Sequence, residues 1–148
     1  MFVCYNYVEV VSFAEEDVSK SDILRDDYQP VLIGNTKEAR QLAKKLFKRF
    51  GIVSYICDKS AGISTLFCLG AEFWSVSGHA DSDLLCDELL YLASFDPFCI
   101  YIAVPCDETY EKSVLEQWTR LETSYIMKKP CDLVSALAGF ERSLINQT

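Results

Sequence analysis

The sequence is poor in the residues that most often announce chemistry. Among 148 residues there is one histidine, His79, and there are only six glycines and four prolines. The glycines are scattered, so neither a Gly-x-Gly-x-x-Gly dinucleotide fingerprint nor a P-loop can be assembled. Seven cysteines occur, at positions 4, 57, 68, 86, 99, 106 and 131, but no two stand as Cys-x-x-Cys. With a single imidazole to add, the spacing of a structural zinc site is missing, and no metal or other cofactor is expected. No apolar run reaches the roughly 20 residues of a membrane span. The first residues lack the basic stretch and apolar core of a signal peptide. Positive charge is also scarce. There are 14 Lys and Arg against 22 Asp and Glu, a formal net charge of −8 and a pI near 4.6. A general nucleic-acid binder needs a basic footprint to displace counterions, so that class is excluded.

Apolar residues are plentiful, at 50% of the chain with 13% aromatic. Disorder is therefore not expected, and the length suits one domain with a real core. Several cysteines, Cys57, Cys86 and Cys99 among them, sit inside apolar runs, where a reduced thiol behaves as a small hydrophobe. An odd number without paired spacing reads as free thiols in a reducing, cytoplasmic setting. Six of the basic residues (Lys37, Arg40, Lys44, Lys45, Lys48 and Arg49) fall in one stretch. Such a run usually marks a solvated outer face. A docking stripe for an acidic partner is the sharper alternative.

Residues 1–27 read as an N-terminal arm, with an edge strand over Phe2–Phe13 and a short helix near Asp22–Arg25. From Tyr28 onward strands and helices alternate. Pro30–Ile33 is an apolar run ending in Gly34, with Pro tolerated at a strand start. Lys37–Phe50 places Ala39, Leu42, Ala43, Leu46, Phe47 and Phe50 on one helical stripe. Asn35 is placed to cap it, Glu38 to return the bond, and Gly51 to end it. Ile52–Cys57 is a second strand. Residues 59–70 are a loop or a short helix, and Ala71–Ser77 a third strand. A helix over Ser82–Ala93 precedes Phe98–Val104, an apolar run expected of a strand covered on both faces. A helix from Glu108 to Leu121, a short strand over Ser124–Met127 and a last helix capped by Asp132 complete the pattern. Residues 28–148 thus predict a three-layer α/β/α domain with a mainly parallel, five-stranded, Rossmann-like sheet.

Ligands of such sheets bind beyond the strand C-termini. Two loops fall there. Gly34, Asn35 and Thr36 lead into a helix N-terminus, where free N–H groups suit an anion; helix capping alone also accounts for Asn35. Cys106, Asp107 and Glu108 follow the most apolar strand. Asp107 and Glu108 would occupy a first helical turn, where the dipole favours acids with or without a ligand. Cys106 near a helix start has the setting for a lowered pKa. A nucleophilic cysteine also needs a base, and only His79, in a loop that suits a solvated imidazole, is there to serve. No catalytic residue is assigned. Trp74 and Trp118 fit apolar faces.

Two segments together carry a resemblance. Pro30-Val31-Leu32-Ile33-Gly34, Ala39-Arg40-Gln41-Leu42-Ala43 and Phe50-Gly51-Ile52-Val53-Ser54 resemble the opening of ATP-grasp ligases, most of all the D-aspartate ligase-like carboxylate–amine ligases. A weaker likeness is to the biotin carboxylase N-terminus. Val104-Pro105-Cys106-Asp107-Glu108-Thr109-Tyr110 is similar to a later Pro-Cys-Gly-Asp-x-Tyr-like segment, with Asp107 where the family has glycine. Leu121-Glu122-Thr123-Ser124-Tyr125-Ile126 echoes a further motif. Over residues 28–130 the resemblance implies the pre-ATP-grasp domain, a Rossmann-like module that shapes the acceptor-substrate side of the active site and does not bind ATP by itself. The ATP lysines and magnesium carboxylates of the family lie in a further domain that these residues do not contain. The expected role is therefore a non-catalytic module. The partners it implies are an ATP-grasp catalytic domain or subunit, a small carboxylate or amino-acid ligand, or a second copy of the chain.

A receiver-like or pseudo-receiver signalling domain is the alternative, from the five strands, the size and Tyr125-Ile126-Met127-Lys128-Lys129-Pro130 before a last helix. Sheet order separates the two: 2-1-3-4-5 for a receiver, 3-2-1-4-5 for a Rossmann-like sheet.

Overall fold

A computed structural model describes residues 27–79 and 81–147. The arm expected over residues 1–27, with its edge strand and short helix, lies outside them except for its last residue. Five strands, β1 (Tyr28–Ile33), β2 (Ser54–Asp58), β3 (Ala71–Ser75), β4 (Ile100–Pro105) and β5 (Tyr125–Met127), form one sheet in the order β3-β2-β1-β4-β5. Every pairing is parallel. This is the Rossmann-like order and not the receiver-like one.

Alternation along the strands divides the interior in two. Leu32, Ile56, Ile102 and Val104 face α1 (Lys37–Phe50) and α6 (Leu133–Gln147), meeting Leu42, Leu46, Phe50, Leu133 and Leu137. Val31, Ile33, Cys57, Tyr101 and Ala103 face the other way. There they pack on α3 (Ser82–Ala93), α4 (Glu108–Glu116) and α5 (Trp118–Leu121) through Leu85, Leu89, Val114 and Leu121. Opposite-facing neighbours in one strand require helices on both sides of the sheet. No helix among the described residues is long and apolar enough to cross a membrane.

Several expected boundaries shift for local reasons. Residues 59–70 contain a one-turn helix, α2 (Ile63–Leu66). The helix expected over Glu108–Leu121 breaks at Gln117, whose φ of −104° and ψ of 12° leave the helical region, so α4 and α5 are separate. β4 begins at Ile100, not Phe98; Phe98 is 91% exposed and belongs to the preceding turn. The last helix begins at Leu133 after a 3₁₀ turn over Pro130–Asp132.

β1 also starts two residues earlier than expected, which puts Pro30 inside the central strand. Proline there deletes a ladder donor. The Gly34 N–H donates to the Cys57 carbonyl at 2.8 Å. Stepping back by the two-residue repeat of a parallel ladder, the N–H of residue 30 would meet the Val53 carbonyl. Pro30 has no such proton. The Gln29 side-chain amide takes its place, donating to the Val53 carbonyl at 2.9 Å and to the Pro30 carbonyl at 2.9 Å.

Gln29→Ala is expected to destabilise the fold by about 1 kcal/mol, the cost of an orphaned acceptor. Adding Pro30→Ala to that variant restores a main-chain donor and recovers part of the loss, as urea unfolding of the native chain and the two variants will read. On β2, the Ser54 hydroxyl is buried without a hydrogen-bond partner. Ser54→Ala is expected to leave stability unchanged or raise it by up to about 1 kcal/mol in the same assay.

Candidate functional site

Parallel strands bring the tips after β1, β2 and β4 to one rim. Gly34 follows β1 with φ of 120°, a conformation that disfavours any side chain. A Cβ built on it would lie 3.2 Å from Asp107 Oδ2 and 3.4 Å from the Tyr110 ring. The tips expected to share an edge therefore touch. The ladder runs one residue past each strand: Cys106 N–H donates to the Ile33 carbonyl at 2.8 Å, matching the Gly34 bond to β2.

The helix caps differ from expectation. Thr36, not Asn35, caps α1, its hydroxyl accepting from the Ala39 N–H at 3.0 Å. Asn35 is drawn away by other partners. Its N–H donates to Asp58 Oδ2 at 2.7 Å, and its side-chain oxygen accepts from Arg40 Nη1 at 2.9 Å and from the Thr65 hydroxyl. Asp107 is the cap of α4, accepting from the Tyr110 N–H at 2.8 Å, while Glu108 begins that helix exposed. Of the six residues singled out from the sequence, Gly34, Asn35, Thr36, Cys106 and Asp107 stand in or beside the two touching loops. Glu108 projects from the helix start into solvent.

Asp58, which ends β2, was not among them. Its carboxylate accepts from the Asn35 N–H, from the Lys59 N–H at 2.7 Å and from the Tyr110 hydroxyl at 2.8 Å. Burial pushes this carboxyl up, but those three hydrogen bonds, with His79 nearby, outweigh it and hold it below the usual carboxylate range. Tyr110 is fully buried, and its phenol is pushed well above its ordinary value by burial and by the Asp58 carboxylate. The His79 ring lies edge-on to Tyr110, with centroids 4.8 Å apart. The sequence signal for Asp58 is an acid closing a β-branched run, at the rim that parallel topology defines. Tyr110 carries no signal beyond helical periodicity, which marks it only as core.

Cys106 does not have the lowered pKa expected near a helix start. Its thiol is pushed up to about 12 by burial first, then by the neighbouring Asp107 and Glu38 charges. It donates to the Val104 carbonyl at 3.3 Å. No hydrogen bond joins it to His79 among the described residues. A thiol this reluctant to ionise is a poor nucleophile. No cluster of His, Cys, Asp or Glu among the described residues is placed to hold a metal ion. What the rim can do is present an ordered polar surface, with the first N–H groups of α1 beside it.

The fold and this rim define a Rossmann-like α/β module. No family model, curated protein or solved structure matches the chain.

Tyr110→Phe is expected to cost about 1.5–3 kcal/mol, the range for a hydrogen bond to a charged group. The pH profile tests the same cluster. Asp58 has a folded pKa below its unfolded value, so its contribution is present above the unfolded pKa, near 3.9, and is lost as pH falls through the folded pKa. The stability gap between the native chain and Asp58→Asn should be flat above about pH 5 and close as pH drops below about 4. A gap unchanged down to strongly acid pH would remove Asp58 from this role.

Proposed function

We propose that this chain is a non-catalytic α/β module like the pre-ATP-grasp domain of carboxylate–amine ligases. It contributes to acceptor-substrate binding or to contact with a catalytic domain or subunit. One observation carries the reading. The groups gathered at the rim hold one another in place and none is poised to react. The Asp58 carboxylate already accepts three hydrogen bonds, the Tyr110 phenol is committed to it, and the Cys106 thiol resists ionisation. Such a surface is suited to recognition and leaves bond-making to groups supplied from elsewhere.

The strand order favours this reading over a receiver-like one, because a receiver places its second strand at the sheet edge and this sheet has β3 there. The segment after β1 begins Gly34-Asn35, where a receiver carries paired acids.

Isothermal titration of the chain with ATP and magnesium is expected to give no binding heat. A micromolar dissociation constant would overturn the proposal, because a module that leaves nucleotide chemistry to another domain has no use for such affinity.

A further inference from the structure

The switch point between β1 and β4, where Rossmann-like sheets hold their ligands, is filled by Tyr110 and by the contact between Gly34 and Asp107. Open space lies one strand further along. A cavity of about 410 Å³ sits beyond the C-terminal ends of β4 and β5, within the range of small-molecule sites. Its apolar walls are Pro105 at the end of β4, Leu115 on α4, Met127 at the end of β5, and Pro130. Leu115 is 53% exposed; it stands off the buried face of α4, which is made by Tyr110, Ser113 and Val114, and lines the open side of the cavity.

The charged lining is balanced. Lys128 and Lys129 follow β5, while Glu111 lies one turn before Leu115 and Asp132 sits in the 3₁₀ turn. Two cations and two anions share one cavity, yet no ion pair joins them; among the described residues the ion pairs are those of Arg120 with Asp83 and Asp87. A lining with no net charge does not suit a polyphosphate, which Glu111 and Asp132 would repel. It suits a molecule that carries one charge of each sign on an apolar frame.

We propose that this cavity is a binding site for a small zwitterion with an apolar body. Its anionic end is held by Lys128 and Lys129, and its cationic end by Glu111 and Asp132. Pro105, Leu115 and Met127 cover the frame. The inference rests on reading the chain as a binding module, but not on the rim after β1.

The probe is 6-aminohexanoate, which separates an ammonium from a carboxylate by an apolar chain. Titrated into the ¹⁵N-labelled chain, it should move the amides of Leu115, Met127 and Lys128 saturably, with the millimolar affinity typical of so small a ligand. Hexanoate and hexylamine, each lacking one charge, should bind at least several-fold more weakly. The double substitution Lys128→Gln with Lys129→Gln, and separately Glu111→Gln, should each weaken binding by about tenfold, the weakening of one charged end of the site. A thermal melt shows whether each variant is folded. Absence of saturable shifts, equal binding of hexanoate, or indifference to all three substitutions overturns the site. Shifts confined to Gly34, Asn35 and Asp107 also overturn it while leaving the module reading standing, whereas ATP binding in the separate titration would remove the reading on which it rests.

Discussion

The carboxylate of Asp58 is the point on which the C-terminal edge of the sheet depends. It ends β2, and its three donors come from the tip of β1, from the residue that follows β2 and from the helix after β4. One side chain thus joins the loops of three parallel strands. A parallel sheet leaves its strand ends carrying backbone groups that the ladder no longer satisfies, and connecting loops must satisfy them or leave them to water. Here the ladder is extended one residue past β1 and β4, and Asp58 takes up the Asn35 N–H immediately beyond. The close approach of Gly34 to Asp107 follows: with the β1 tip held by Asp58 and the α4 start held through Tyr110, a Cβ at position 34 would press on Asp107 Oδ2 at 3.2 Å, and its φ of 120° already disfavours a side chain.

The same closure explains what could be read in advance. Periodicity reports which face of an element is buried, and the alternation of strands with helices, together with the unbroken apolar run Phe98–Val104, was sufficient to expect helices on both sides of the sheet. Lys37–Phe50 and Ser82–Ala93 were legible to the residue because their stripes are long and their ends carry caps or breakers. The identity of the α1 cap was not. Asn35 and Thr36 are both good caps, and the choice is made by a tertiary partner, Asp58, 23 residues away in sequence. Likewise Tyr110 and Leu121 share one helical face in the sequence, and only the sheet edge gives the tyrosine hydroxyl its distinct task. The Gln117 break is a local dihedral choice that no breaker residue announces. The limits of β4 were misjudged because Phe98 is as apolar as the strand it precedes.

Pro30 illustrates a conflict between levels of structure that the fold resolves locally. A central strand disfavours proline, and the bond it deletes would have fallen on Val53. The preceding residue supplies a side-chain amide at the same position, so the sheet keeps the bond and proline keeps φ fixed at the entry to the core. A one-residue compensation of this kind is invisible to any argument based on strand propensity, because Gln29 has no marked preference for strands.

Closing the switch point has a consequence for where anything can bind. Rossmann-like sheets owe their usual site to the divergence of loops on either side of the first strand, which leaves a crevice. In this chain Tyr110 occupies the crevice, and its hydroxyl is anchored by a carboxylate that burial alone would have protonated more readily. Removing Tyr110 from that place would open space but strip Asp58 of a donor, so the filled crevice is stable against small movements of the loops. Vacant volume is displaced to the far side of β4, where β5 is only three residues long and its exit, Lys128 to Pro130, leaves the sheet early. Short pairing at the sheet edge, rather than divergence at its centre, is what creates a concave surface in this molecule.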